Sequence, residues 1–492
     1  MNEETHPENP VNQASQPADP PKGRSRVRTR RFFSRTRRKE ESRPSEDANQ
    51  DAVVGAEEIS PLTETNPETA GCEPDENSGE DKKNEKVEAE EVVSTESDPG
   101  TSQPVMTPAA ISNGVASRSA RVDFAPVLAE GIVEISGKGF GFLREPKRNF
   151  SQSNNDIFVT PEVVRRHGLR DGMWIKGEIR RGGRGPQLFR LTEIEGQSPD
   201  SLPAMLPVFE ELTTISPNRR IVLETEPTLY TTRVMDLMTP IGRGQRGLIV
   251  APPRTGKTTL LQHIAMAVTK NYPDMKLIIL LVDERPEEVT EIRRSVPSAE
   301  LLASSNDSDI KTHTRISQLA IERAKRLVEM GRHVFVLMDS LTRIGRAFNN
   351  IQGSGGRTMS GGVDSRALEI PRKLFAAARN TEEAGSLTIM ATALIETNSR
   401  MDELIFQEFK GTGNMELVLD RKISDQRIYP AVDIFLSGTR REELLLDPEE
   451  LRKISIIRRG LAGHKPIEAI ERLLFFIRKY PTNAELLKSI PG

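Results

Sequence analysis

The segment 247–259 constrains this chain more than any other. Gly247-Leu248-Ile249-Val250-Ala251 is a short run of apolar strand formers. Pro252-Pro253-Arg254-Thr255-Gly256-Lys257-Thr258-Thr259 turns tightly out of it, and Leu260-Leu261-Gln262-His263-Ile264-Ala265 enters a helix. Strand, tight loop and helix in that order are the context of a phosphate-binding P-loop, because the first N–H groups of the helix point at the anion. Gly256 lets the backbone approach the phosphates. Lys257 is placed for the β- and γ-phosphates and the Thr258 hydroxyl for Mg²⁺, with residues 253 to 259 as the cradle. Ala251 stands where the pattern has its first glycine. The competing reading is a chance Gly-Lys-Thr after a buried strand, and the flanking strand and helix speak against it.

A chain of 492 residues has room for about two to four domains. Its net charge of −3 is a cancellation of basic and acidic segments, so it says nothing about partners. The single cysteine, Cys72, excludes an internal disulfide framework and fits a reducing compartment. No apolar run approaches the length of a membrane span, and the first residues lack the apolar core of a secretion signal. The expected location is cytoplasmic, with no membrane partner.

Residues 1–125 are poor in aliphatic and aromatic side chains and rich in Pro, Glu, Ser, Asn and Thr. Such a segment buries too little apolar surface to offset its ordering entropy, so a disordered polar arm is expected. Its basic tract, Arg24 to Arg31 and Arg35 to Lys39, suits contact with nucleic acid, or equally a solvated tail. From residue 126 to 196 alternating strands and glycine turns take over: Gly131–Ile135, Gly139–Arg144, Asp156–Val159, Trp174–Ile179 and Leu188–Ile194. About five short strands in so short a span predict a small closed barrel of the OB or cold-shock type. Alternate residues of Gly139-Phe140-Gly141-Phe142 share one face. Phe140 and Phe142 beside Lys138, Arg144 and Lys147 therefore form a stacking platform with phosphate partners, or the core of an ordinary barrel. A proline-punctuated linker is expected over 197–240. From 241 to 492 apolar strands alternate with helical stretches, which predicts an α/β domain with a mainly parallel sheet and C-terminal helices.

In that sheet, carboxylates at strand ends belong to the ligand side. Val334-Phe335-Val336-Leu337-Met338-Asp339 puts Asp339 there, as a candidate Mg²⁺ carboxylate. Leu281-Val282-Asp283-Glu284 leads into Glu287 and Glu288, and Glu284 is the candidate base for the attacking water. Spacing alone leaves open which of the four acids serves, and an acidic helix start is the bland alternative. The glycine-rich stretch around Arg357 and the Thr397–Arg400 loop each expose a cation, or are plain tethers. Arg427 and Arg440 are surface arginines unless a neighbouring subunit needs them. No Cys/His cluster suggests zinc.

Four stretches together, Ile241 to Pro253, Asp283 to Thr290, Gly361 to Asp364 and Phe409 to Glu416, closely resemble the bacterial transcription termination factor Rho family. The resemblance spans residue 129 to the C-terminus, with the barrel at its expected place. It implies a RecA-like P-loop ATPase preceded by the small OB-type barrel. It further implies a homohexameric, RNA-dependent ATPase that binds nascent single-stranded RNA, translocates 5′ to 3′ and releases the transcript from RNA polymerase. ATP and Mg²⁺ are the implied cofactors, and RNA polymerase and elongation factors the implied partners. On matching positions, Lys257 and Thr258 serve phosphate and Mg²⁺, Asp339 resembles the Walker B carboxylate, and Glu284 the catalytic one. Arg440 resembles the arginine finger, Arg427 a second trans-acting arginine, and Tyr429 the ring that packs on adenine. Arg357 and Arg400 fall in the two channel loops that face RNA, where the family usually has lysines. Phe140, Phe142, Arg144, Asp156 and Phe158 match the primary RNA site. Two features depart: the late barrel aromatic has no counterpart among Gly185 to Leu188, and the family's helical N-terminal subdomain is replaced by the polar arm.

Two other functions fit parts of the pattern. One is an RNA-binding module with a nucleotide switch and little turnover. The other is a rotary ATP-synthase-type subunit or DNA recombinase sharing the core fold. The set Lys257, Glu284, Asp339 and Arg440 speaks against the first, and the Gly-Phe-Gly-Phe barrel against the second.

Overall fold

The computed structural model describes residues 127–182, 185–203, 206–352, 362–364 and 366–491. The polar arm over 1–125 and the expected RNA-facing Arg357 lie outside the described residues.

The first elements are β1 (Val127–Ile135), β2 (Gly141–Arg144), β3 (Ile157–Val159), the short helix α1 (Pro161–Arg166), β4 (Trp174–Gly182) and β5 (Gly185–Ile194). They close a five-stranded barrel in the order β1-β2-β3-β5-β4. Val133, Leu143, Ile157, Val159, Ile175 and Leu188 fill it, and strand alternation therefore sends Phe142 and Phe158 outward.

The stretch expected as a linker holds β6 (Thr214–Ile215), β7 (Arg220–Ile221) and α2 (Tyr230–Met238). Helix α2 is buried almost along its whole length. Its polar residues hid it from a hydropathy reading, because Arg233 and Asp236 find their main partners inside the protein, although Arg233 Nη2 is buried without one among the described residues. Arg233, fully buried, donates to the carbonyls of Pro227 and Ile477 at 3.1 Å each. Asp236 accepts from the backbone N–H groups of Leu223 and Glu224.

The larger region runs β8 (Ile241–Gly242), β9 (Arg246–Ala251), α3 (Lys257–Asn271), β10 (Lys276–Glu284), α4 (Pro286–Ser295), β11 (Glu300–Ser305), α5 (Ile310–Glu329) and β12 (His333–Asp339). Then follow α6 (Leu341–Gln352), α7 (Glu369–Ala376), β13 (Arg379–Thr381), β14 (Ser386–Leu394), α8 (Arg400–Lys410), β15 (Met415–Val418), α9 (Arg421–Asp425) and β16 (Gly438–Thr439). Helices α10 (Pro448–Leu461), α11 (Pro466–Arg478) and α12 (Asn483–Lys488) end the chain. The sheet order is β11-β10-β12-β14-β9-β15-β16, parallel from β11 to β15 with β16 antiparallel at the edge. Neighbouring strand residues serve opposite cores. Ile249, Ile279 and Phe335 pack with α3 and the C-terminal helices, while Leu248, Ile278 and Val334 pack with α5 and α6. This two-sided burial is why the strands read as unbroken apolar runs.

The barrel sits on α5. Ile132 and Phe150 join the α5-side core, and Arg323 is buried between Glu195 of the barrel and Glu300 of β11. Arg315 donates to Glu134 at 3.0 Å and to the Phe150 carbonyl at 2.7 Å. Gly172 (φ +88°) lies where a Cβ would come within 2.5 Å of the Arg323 backbone nitrogen.

Candidate functional site

Strand order decides what meets at the carboxyl edge of the sheet. β9 delivers the P-loop, β12 ends in Asp339, and β10 ends in Glu284. In the P-loop, Pro253 and Arg254 are exposed and Thr255 is buried, its hydroxyl donating to the Pro252 carbonyl at 2.8 Å. Arg254 and Gly256 both have positive φ, 69° and 84°. Gly256 caps α3 without a side chain, so the first-turn N–H groups of Lys257, Thr258 and Thr259 are left for an anion at the positive end of the helix dipole. Lys257 Nζ donates to both oxygens of Asp339, at 2.7 and 2.6 Å. Asp339 Oδ1 also accepts from the Thr392 hydroxyl at 2.7 Å. The Thr258 hydroxyl is 3.3 Å from a Glu288 oxygen.

Glu284 is buried and adjoins this group through a β-bulge. The register with β11 slips between Val282 and Glu284, and Asp283 there takes φ 57°. The extra residue turns Glu284 inward toward the ligand side. Burial pushes the Glu284 carboxyl up to about 7; Lys257 and Arg343 oppose this and Asp339 adds to it. Arg343 of α6 pairs with Glu284 and also donates to the Asp283 carbonyl. A carboxyl near neutrality beside a lysine and an anion-ready loop can take a proton from a water aimed at phosphate. Arg343 and Thr392 were not singled out from sequence. Neither carries a local signal: Asp339 ends β12 while Arg343 lies in α6, so no helical spacing links the two, and the partner of Arg343 is Glu284, 59 positions away.

Hard oxygen donors, the Thr258 hydroxyl and the Asp339 carboxylate, suit Mg²⁺. Among the described residues no group of three or more His, Cys, Asp or Glu forms a metal cage.

Tyr429 lies against the loop, with ring carbons 3.5 Å from where a Gly256 Cβ would stand. It is 45% exposed, so a face is open beside the P-loop. Arg427 (φ 62°) is exposed two residues earlier. Arg440 lies elsewhere. Its N–H donates to the Asn414 carbonyl, and the Asn414 N–H donates to that of Arg246. It thus stands at the amino edge of the sheet, a strand length of about 17 Å from the P-loop. Arg400 is exposed at the first turn of α8. Its loop is tied down by Asp402, which pairs with Arg346 of α6 and accepts from the Thr397 hydroxyl at 2.5 Å.

On the barrel, Phe140, Phe142 and Phe158 form a cluster with ring centroids 5.5 to 5.9 Å apart. All three are half-buried. Lys138, in the turn before Phe140, and Lys147 are exposed. Arg144 differs from the free phosphate partner expected: it is buried, 5.1 Å from the Phe142 centroid, and paired with Glu134 and Asp156. Arg148 is the more exposed cation at this edge, 3.9 Å from Asp156.

The family profile described as "Rho termination factor, RNA-binding domain" matches residues 129–200. The nucleotide-binding domain of the ATP synthase alpha/beta family matches 231–439. Among curated relatives, the transcription termination factor Rho of Aquifex aeolicus is 49% identical over 371 residues, 74% of this chain and 85% of that protein. The namesake from Cereibacter sphaeroides is 49% identical over 73% of this chain and 86% of its own. That of Thermotoga maritima is 48% identical over 73% and 85%.

Proposed function

Because this chain belongs to the transcription termination factor Rho family, we propose that it works as a homohexamer that threads nascent single-stranded RNA through its centre and dislodges RNA polymerase. The chain is an ATP-hydrolysing, RNA-binding termination factor. In the proposed cycle, 5′-to-3′ movement follows from hydrolysis at subunit interfaces in the cytoplasm, with elongation factors as further partners.

The reading rests on one observation: Lys257, Asp339 and Glu284 converge at the carboxyl edge of the sheet. Lys257 exchanges Asp339 for the β- and γ-phosphates, and the α3 N–H groups hold the remaining charge. Thr258 and Asp339 would hold Mg²⁺, which would supply charge neutralisation on the phosphates when bound. Glu284 orients and deprotonates the attacking water, Arg343 keeps it ionisable, and Tyr429 covers the base of the nucleotide. Arg427 and Arg440 complete a neighbour's site, and Arg400 with Arg357 faces RNA in the channel. Phe140, Phe142 and Phe158 stack bases at the primary site, framed by the Arg144–Asp156 pair.

The test is steady-state ATP hydrolysis with and without pyrimidine-rich single-stranded RNA. Strong RNA stimulation is expected, abolished in Glu284→Gln and requiring more RNA in Phe140→Ala/Phe142→Ala. Hydrolysis indifferent to RNA would overturn the translocase reading.

A further inference from the structure

The barrel carries one more aromatic on its outer surface, and the strand registers say which part of that surface it shares. Glu134 pairs with Phe142, Phe142 with Phe158, Phe158 with Gln187, and Gln187 with Arg180. Paired residues on adjacent strands point to the same side. One row therefore crosses the outside of the barrel from Phe142 and Phe158, which Phe140 adjoins, to Arg180. Along β5 the register then slips: Leu188 pairs with Ile179 and Arg190 with Glu178. Phe189 is the unpaired residue of this bulge. Leu188 fills the barrel interior, while Phe189 is turned out and 52% exposed. The Arg180 guanidinium lies over its ring, 3.3 Å from the centroid.

We propose that Phe189 and Arg180 form an added stacking station for a base of single-stranded RNA, next to the three-phenylalanine cluster. This deepens the reading of the barrel as the RNA-binding site and rests on it.

A cation over a ring is not by itself a site, since Arg379 lies over Phe209 in the same way. Phe209, however, is fully buried and its ring belongs to the core. Phe189 does no such work: its ring adds nothing to the barrel interior, and a bulge holds it out beside the row that ends in Arg180. Among the described residues Arg180 makes no ion pair with an acid, so its charge is unspent. A guanidinium stacked on an aromatic ring is a preorganised pair: it offers a flat face to a base and N–H donors to a phosphate. The distance also fits a continuous track, because Arg180 stands two strands from Phe158, about 10 Å.

The experiment uses the full chain and oligocytidines of increasing length, with binding read by fluorescence anisotropy. Phe189→Ala is expected to weaken binding of the longer oligomers about five- to a hundredfold. The shortest oligomer that the phenylalanine cluster holds should be unaffected. Phe189→Tyr should bind as the parent does, whereas Arg180→Lys, which keeps charge but loses the planar face, should lose part of the gain. Phe189→Trp supplies a direct readout against the chain's single tryptophan, Trp174: its emission should be quenched at saturating RNA. Parent-like binding by Phe189→Ala at every length, with Phe140→Ala/Phe142→Ala impaired, would overturn this station and leave the primary site standing. Loss at all lengths alike would also overturn it, as a general effect on the barrel. If Phe140→Ala/Phe142→Ala binds normally, the site reading itself fails and this inference with it.

Discussion

Lys257 Nζ lies within 2.7 Å of both carboxylate oxygens of Asp339. Both side chains are largely withdrawn from water, so each neutralises the other in a site that otherwise holds the buried Glu284. In the proposed cycle a bound nucleotide would exchange this partner: phosphate would take the ammonium, and the freed carboxylate would be one of the oxygens able to hold Mg²⁺. Lys257→Ala is therefore expected to lower the ATPase rate by at least about 100-fold, the scale of losing one charge-stabilising group in a closed site. It should also cost about 1–3 kcal/mol in nucleotide-free stability, because among the described residues Asp339 then keeps only Thr392 as a side-chain partner. Hydrolysis assays with denaturant unfolding of the same variant check both, and near-parental turnover would refute the assignment.

Glu284 sets a pH dependence. Its carboxyl is raised from the ordinary 4.5 to about 7, and a base acts only when ionised. Turnover should therefore rise between pH 6 and 8. Arg343 opposes the shift, so Arg343→Ala should move the rise to higher pH, with the loss of rate greatest below neutrality. The stability sign is opposite. Between 4.5 and about 7 the folded chain keeps a proton that the unfolded chain has released, so this group makes stability fall as pH rises through that window. Glu284→Gln should remove that slope. A pH–rate profile for Arg343→Ala that overlays the parent's would show that the guanidinium does not tune this carboxyl.

Gly172 joins the barrel to the ATPase region. At φ +88° with the Glu322–Arg323 backbone against its Cα, an alanine meets both strain and a clash that no side-chain rotation relieves. Gly172→Ala should cost about 2 kcal/mol or more, of which about 1–2 is the left-handed backbone alone. It should also weaken the response of hydrolysis to RNA more than hydrolysis itself. Thermal unfolding and RNA titration of the ATPase rate measure the two effects. Unchanged values in both would mean that the barrel does not depend on this contact.

The parts legible in the sequence are those written in local chemistry. The P-loop carries its own glycine and lysine, the sheet strands are unbroken apolar runs, and Phe140 with Phe142 alternates visibly. What stayed hidden depends on distant partners. Helix α2 passes for linker because Arg233 and Asp236 look solvent-bound until the carbonyls and N–H groups they satisfy are known. Strand β11 (Glu300–Ser305) is short and half polar, and only its pairing with β10 makes it a strand. The bulges at Asp283 and Phe189 change which side chain faces where by a single residue, and no hydropathy pattern records a register slip. Arg144 looked like a free cation because the acids that claim it, Glu134 and Asp156, lie 10 and 12 positions away along the chain.

Arg440 tests the assembly. Its backbone is bonded to Asn414 and through it to Arg246, at the edge of the sheet opposite its own P-loop. With about 17 Å of strand between them, no rotamer brings the guanidinium to the Lys257 of the same chain. If it acts in hydrolysis at all, it acts on a neighbour. Lys257→Ala and Arg440→Ala should each be nearly inactive alone, yet a mixture that exchanges subunits should recover activity. In a ring assembled at random from equal parts, about a quarter of interfaces join an intact Lys257 to an intact Arg440, half of the subunits meeting half of the neighbours. Recovery toward that fraction of the parental rate is expected. A mixture no more active than its components would place Arg440 outside the catalytic centre.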